Sequence, residues 1–122
     1  VRTTMIVDDT AFTRLMLRGM LESLGLEVVV EAESGEEAVK QFMLYRPDLV
    51  TLDISTPGMD ELAAVKKIRE IDGKAKIIVC SAVVQRDAIM RAIAAGASDF
   101  LAKPLQKDRV EWSIQHLKAE NG

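Results

Sequence analysis

The strongest constraint on this chain is an alternation. Short apolar runs rich in β-branched residues are separated by longer segments of helical period, and the pattern recurs from one end of the chain to the other. The runs Thr3–Val7, Glu27–Glu31, Leu49–Leu52, Lys76–Cys80 and Phe100–Ala102 read as strands. Between the first two, Phe12, Leu15, Met16, Met20 and Leu24 recur at helical spacing, with Gly25 as a stop. Ser34-Gly35-Glu36-Glu37 reads as a capping box ahead of Ala38, Val39 and Phe42, and Pro47 ends that helix. A third helix carries Leu62, Val65 and Ile68, and a fourth carries Ile89, Met90 and Ile93 before Gly96. A fifth is expected to start at Pro104, whose missing N–H costs nothing in a first turn, and carries Val110, Ile114 and Leu117. Strands that alternate with helices need long right-handed crossovers, so the fold class is doubly wound α/β: a five-stranded parallel sheet covered on both faces by five helices.

The 122 residues are enough for one core, and residues 1–122 read as a single domain without an internal repeat or linker. A formal charge of −3 argues against broad nucleic-acid binding, which calls for a basic patch. Cys80 has no second cysteine to pair with and lies in the apolar run from Ile77, which predicts a small buried side chain and fits a reducing compartment. No apolar stretch approaches a membrane span, and the first residues show no secretion signal. A cytoplasmic location is expected.

Polar groups gather where strands end. Asp53 closes the third run and precedes Ile54-Ser55-Thr56-Pro57-Gly58-Met59-Asp60, expected to be a loop. Alone, Asp53 also fits a loop-capping residue. Asp8 and Asp9 follow the first strand; they serve equally well as caps of the first helix, with Thr10 as a rival. If the first and third strands are neighbours, however, three carboxylates converge. Two unit charges about 4 Å apart repel by roughly 4 kcal/mol at an effective dielectric near 20, so a divalent cation is the simplest remedy. All-oxygen ligands suit Mg²⁺ or Mn²⁺ better than Zn²⁺. The fourth strand delivers Ser81 and the fifth delivers Lys103, a hydroxyl and a point charge suited to an oxyanion.

Ile6-Val7-Asp8-Asp9, Leu52-Asp53 with Pro57, Met59 and Asp60, Cys80-Ser81-Ala82 and Lys103-Pro104 together resemble the receiver domain of bacterial two-component response regulators. The likeness covers nearly the whole chain. Around Asp9-Thr10-Ala11-Phe12 it is to the stand-alone, CheY-like chemotaxis type. The resemblance implies a flavodoxin-like fold in which Asp53 accepts a phosphoryl group from a histidine kinase or a small phosphodonor. It implies a Mg²⁺ site made by Asp8, Asp9, Asp53 and the backbone carbonyl of Ser55, with Lys103 neutralising the phosphoryl charge. Beyond phosphoryl transfer to its own Asp53 and self-dephosphorylation, no enzyme activity is implied. The Lys103–Pro104 bond is expected to be cis, as in the family. Ser81 and Phe100 take the switch positions, and a downstream protein target is expected on the surface of the fourth helix, fifth strand and fifth helix.

Thr56 and Glu61 depart from the family pattern, which usually has Met and Gly there. Loss of a glycine at a backbone bend costs on the order of 1 kcal/mol or forces another path. An unusual or mobile segment from Thr56 to Leu62 is therefore expected. Trp112 falls off the apolar stripe of the fifth helix and shares a face with Leu105, which marks both as partner-surface candidates; a ring half-covering its neighbours is the simpler account. His116 reads as a surface residue near a helix C-terminus.

Several other readings compete. The chain could be the receiver of a longer regulator with a DNA-binding or enzymatic output domain, or a pseudo-receiver that binds without phosphorylation. A haloacid-dehalogenase-like phosphatase needs a second Asp where Ser55 stands, and a flavodoxin-type cofactor domain needs a phosphate-cradling loop where Asp8 and Asp9 stand. Val83, two residues beyond Ser81, offers no polar group to orient a hydrolytic water. Val83→Glu or Val83→Gln is expected to change the rate of phosphoryl loss, as measured by following the phosphorylated species over time; an unaltered rate removes that role.

Overall fold

The computed structural model describes residues 2–54, 59–82 and 86–121, without the side chains of 59, 60 and 118–121. The elements run β1 (Thr3–Val7), α1 (Ala11–Ser23), β2 (Glu27–Ala32), α2 (Gly35–Tyr45), β3 (Leu49–Asp53), α3 (Met59–Ile71), β4 (Lys76–Ala82), α4 (Arg86–Ala95), β5 (Asp99–Lys103) and α5 (Lys107–Asn121). The strands form one parallel sheet in the order β2-β1-β3-β4-β5, the flavodoxin-like order. β1 and β3 are therefore neighbours, and the order reverses between them. Crevices for ligands open outside the carboxyl ends of strands at such a reversal.

Period-two alternation divides the strand residues between two cores. Met5, Val7, Val50, Leu52, Ile77 and Val79 face α2, α3 and α4, packing with Phe42, Val65 and Ile68. Ile6, Leu49, Ile78, Cys80 and Leu101 face α1 and α5, packing with Leu17, Leu21, Val110, Ile114 and Leu117. Cys80 is buried, and that burial pushes its thiol up to about 12, an inert core group.

Helix by helix, the expectations fare differently. On α1 the buried residues are Leu17 and Leu21, with Met20 and Leu24 packed beside them. Phe12 and Leu15 are both 68% exposed and Met16 is exposed too, so the stripe expected from them is not the core stripe. Arg14 and Arg18 flank the buried face instead and reach Glu31 on β2 at 2.9 and 2.6 Å. On α4 the core takes Ala88, Ile89 and Ala92, leaving Met90 and Ile93 exposed. The small side chains Ala88 and Ala92 occupy the core face, and the larger Met90 and Ile93 fall on the outer face.

The Ser34 box forms. The Ser34 hydroxyl accepts from the Glu37 N–H at 3.1 Å, and the Glu37 carboxylate accepts from the Glu33 N–H at 3.2 Å, one residue earlier than a standard box. α3 begins at Met59, so the segment expected to be unusual or mobile from Thr56 to Leu62 gives way to helix within it. Thr56, Pro57 and Gly58 lie outside the described residues. α5 begins at Lys107 rather than Pro104, because Lys103 still belongs to β5 and the next three residues turn the chain off the sheet. The Lys103–Pro104 bond is cis, as expected. α4 stops at Gly96 with φ of 125°, where a Cβ would come within 3.0 Å of the Arg69 side chain. The Arg69 guanidinium donates to the Gly96 carbonyl at 2.8 and 3.1 Å and to that of Gly73 at 2.9 Å, joining the last turns of α3 and α4.

At the amino ends of the strands, the Asp48 carboxylate accepts from the N–H groups of Arg2 and Thr3 at 2.9 and 3.2 Å. Partial burial pushes its carboxyl up, but these bonds outweigh it and hold Asp48 below its ordinary value of 3.8. A lowered carboxyl contributes stability above its unfolded value, and that contribution fades as pH falls through the folded one. Asp48→Ala is expected to cost about 1 kcal/mol at pH 7 and markedly less at pH 3, which urea unfolding at the two pH values measures.

Candidate functional site

Four strands deliver their polar ends to one edge. Asp8 follows β1, Asp53 is the last residue of β3, Ser81 lies one residue before the end of β4, and Lys103 ends β5. Register fixes their relative heights: Val7 pairs with Leu52, Asp53 with Cys80 and Ala82 with Lys103. The Ile54 N–H donates to the Cys80 carbonyl at 2.8 Å and the Asp8 N–H to the Ala32 carbonyl at 3.0 Å, so the ladder continues into the loops that carry the acids.

Asp8, Asp9 and Asp53 each place a carboxylate oxygen within 4.8 Å of the others. Asp8 and Asp53 are buried and Asp9 is exposed. The Lys103 ammonium lies 2.5 Å from Asp53 Oδ1. That contact is an ion pair whose alignment falls short of a hydrogen bond, so this buried oxygen has a charge partner but no well-directed donor among the described residues. Burial pushes the Asp53 carboxyl above its ordinary value; Lys103 opposes the shift, and the charges of Asp8 and Asp9 reinforce it. Burial pulls Lys103 down, but Asp53 and Asp8 prevail and hold it above the ordinary lysine value. The two partners thus answer the same contact differently. Asp53 sits among like charges and Lys103 among opposite ones, so one lysine leaves the cluster with uncompensated negative charge.

A divalent cation fits this donor set. The ligands are hard carboxylate oxygens, one of them buried without an aligned donor, and neither His nor a reactive thiol is nearby. Asp8 and Asp9 do not cap α1 as the alternative reading expects: Asp8 Oδ1 accepts from the Thr10 N–H at 2.8 Å and Asp9 Oδ1 from the Thr10 hydroxyl at 3.2 Å, bonds that end ahead of the helix rather than at its first-turn N–H groups. Thr10 is the N-cap of α1, without a side-chain capping bond of its own.

The remaining expected residues divide. Ser81 is fully buried, and its hydroxyl donates to the Ala82 carbonyl at 3.2 Å. Phe100 is 37% exposed rather than packed in the core, and lines one cavity with Ile89 and Met90 of α4. Its N–H donates to the Asp99 carboxylate at 2.8 Å and its carbonyl accepts from Arg109 at 3.3 Å. Trp112 points outward, 55% exposed, stacked on His116 at 5.0 Å between ring centres and under the Arg109 guanidinium at 4.9 Å. Leu105 does not share its stripe: it precedes α5 and packs on the core between α1 and α5. Ser55 and Val83 lie outside the described residues. Sequence reasoning missed Arg14, whose Nη1 donates to the Asp8 carbonyl at 2.6 Å. The spacing of Arg14 and Arg18, beside Leu17 and Leu21, was the available signal.

The family model described as the response regulator receiver domain matches residues 4–115. The chain belongs to this family. Among curated relatives, the receiver is 51% identical over 106 residues to the chemotaxis protein CheY of Bacillus subtilis, covering 87% of this chain and 88% of that protein. It is 49% identical over the same span to the chemotaxis protein CheY of Thermotoga maritima, again with 87% and 88% coverage. Among solved structures, it matches a chain of the CheX-CheY-BeF3-Mg complex from Borrelia burgdorferi with a TM-score of 0.86 and 32% identity, over 95% of this chain and 88% of that one. A response regulator from Chloroflexus aurantiacus gives a TM-score of 0.87 at 32% identity, over 97% and 98%. A receiver of this family accepts phosphoryl groups in two-component signalling, and its fold is the one described above. Among the described residues, no helix is long and apolar enough to cross a membrane.

An Asp53 carboxyl raised in the fold removes stability as pH rises through that raised value; below the unfolded value of 3.8 the penalty vanishes. In cation-free buffer at pH 7, Asp53→Asn is therefore expected to raise the Tm. The gain disappears near pH 3. Thermal unfolding at both pH values checks this, and a variant less stable than the parent at pH 7 contradicts it.

Proposed function

We propose that Asp53 is the phosphoacceptor of a receiver acting in chemotaxis signalling, with a histidine kinase as phosphodonor. The observation that carries this reading is the placement of Asp53 between Lys103 at 2.5 Å and the carboxylates of Asp8 and Asp9 within 4.8 Å. An Asp53 carboxylate oxygen attacks the phosphorus of the donor. The new O–P bond forms as the donor's bond to phosphorus breaks, and the leaving group departs with that electron pair. Lys103 carries positive charge toward the phosphoryl oxygens, and the Ser81 hydroxyl supplies a donor on the β4 side.

Asp8, Asp9 and Asp53, with the Ser55 carbonyl, would hold Mg²⁺ or Mn²⁺, which supplies charge neutralisation at the phosphoryl oxygens. The Mg in the Borrelia complex supports the choice of cation. Self-dephosphorylation completes the cycle, and the protein acts on no substrate but its own Asp53.

For output, we assign the switch to Ser81 and Phe100. Phe100 is half-exposed, so an inward rotation has somewhere to start, and its side chain has no hydroxyl to bury. Its position between Met90 of α4 and Arg109 of α5 couples it to the α4–β5–α5 surface, where exposed Trp112 is the candidate contact for a protein target. The likeness to chemotaxis CheY proteins near 50% identity supports the pathway.

Incubation with Mg²⁺ and acetyl phosphate, followed by intact-mass measurement, is expected to show one added phosphoryl group. Asp53→Asn should abolish it and Lys103→Ala should slow its appearance by about a hundredfold or more, the usual loss for a charge that stabilises the transition state. Modification that persists in Asp53→Asn would overturn the assignment.

A further inference from the structure

Asp8 is held at three of its atoms. Its N–H donates to the Ala32 carbonyl at 3.0 Å, its side-chain Oδ1 accepts from the Thr10 N–H at 2.8 Å, and its carbonyl accepts from Arg14 Nη1 at 2.6 Å. The first two bonds are local to the sheet edge and the turn. The third comes from a side chain on α1 that is itself fixed: Arg14 Nε donates to Glu31 Oε1 at 2.9 Å, and its Nη2 lies 3.7 Å from Glu33. Only 14% of the Arg14 side chain is exposed. Glu31 is held in turn on its other oxygen by Arg18, at 2.8 and 2.6 Å.

A planar guanidinium anchored through Nε has its remaining N–H directions set, so Arg14 specifies where the Asp8 carbonyl sits relative to β2. We propose that Arg14 is a positioning residue for the cation site: braced by Glu31, it holds the Asp8-Asp9 turn where both carboxylates converge on Asp53. The inference rests on the reading of Asp8, Asp9 and Asp53 as a cation site. Glu31 is shared between two arginines, and its own carboxyl stays below the ordinary range because their bonds overcome the upward push of burial. Glu31 therefore remains an anion across neutral pH and keeps its grip on Arg14.

The sign of the effect separates position from charge. Arg14 is a cation near an acidic cluster, so if charge were its only influence, removing it would tighten binding of a divalent cation. A positioning role predicts the opposite. Arg18 provides the control: it shares Glu31 and the same helix, but no bond from it reaches the Asp8-Asp9 turn among the described residues.

Calorimetric titration with Mg²⁺ tests this on the whole chain, alongside the cation-free Tm of each variant. Arg14→Gln and the charge-preserving Arg14→Lys are both expected to weaken Mg²⁺ binding by about tenfold, as losses around metal ligands commonly do, while Arg18→Gln leaves it within about twofold. If Arg14→Gln fails to fold, Arg14→Lys carries the comparison. Unchanged or tighter binding in the Arg14 variants overturns the inference. So does equal weakening in the Arg14 and Arg18 variants, which marks a general loss of structure. Absence of saturable Mg²⁺ binding by the unaltered protein removes the cation site first and the positioning role with it.

Discussion

Three carboxylates drawn together at one sheet edge against one lysine is the condition around which this structure is arranged. Mutual repulsion among Asp8, Asp9 and Asp53 works against folding, and burial of Asp53 deepens the cost. The hydrophobic cores on the two sheet faces must hold the strand ends in place regardless. They do so with side chains from all five strands, so that the acids sit at the ends of strands packed into both cores. A site built this way trades stability for readiness: its charges are assembled in the fold before any ligand arrives.

The surroundings of that edge are organised in two directions. Toward β2, Arg14 and Arg18 converge on Glu31 and tie α1 to the sheet beside the Asp8 turn. Toward β5, Lys103 closes the site. Three residues earlier Phe100 faces outward, with Asp99 on its N–H and Arg109 on its carbonyl. Asp99 also accepts from the buried Ser113 hydroxyl at 2.6 Å, so β5 and α5 are joined at the height of Phe100. Arg109 continues from there to the ring of Trp112, and Trp112 to His116. A contiguous set of contacts thus links the backbone of Phe100 to an exposed aromatic pair.

Most of this fold is legible in the chain because its strongest signals are local. β1 falls on Thr3–Val7 as read, and the other strands differ only by extending one or two residues at their ends. The first residue of α5 was misplaced because proline suits a helix start wherever it stands, whereas only the tertiary structure shows how many residues the turn off the sheet consumes. The stripes of α1 and α4 depart in part from their periodic reading for a related reason: Met20, Leu24 and Ile89 meet the core and the other apolar residues of those stripes are exposed. Phe12, Leu15 and Met90 are as apolar as any core residue, and periodicity alone does not say which of two apolar faces meets the sheet. Small residues on α4 and the paired arginines on α1 decide it by packing and by charge.

Residue order at the strand ends is the sequence's own contribution. Asp8, Asp9, Asp53, Ser81 and Lys103 are placed at carboxyl ends by hydrophobic patterning, and parallel connectivity sends every one of those ends to the same edge. Which ends become neighbours, how closely the acids approach, and which long side chains reach them are settled only when the sheet adopts the order β2-β1-β3-β4-β5. That order places Asp53 beside Asp8 and brings Lys103 across to it, and it lets Arg14 span from Glu31 to the Asp8 carbonyl. Apart from the Arg14 bond to Asp8, these contacts join residues far apart along the chain, and local patterning does not encode the separation of groups whose distance is fixed by strand order and register.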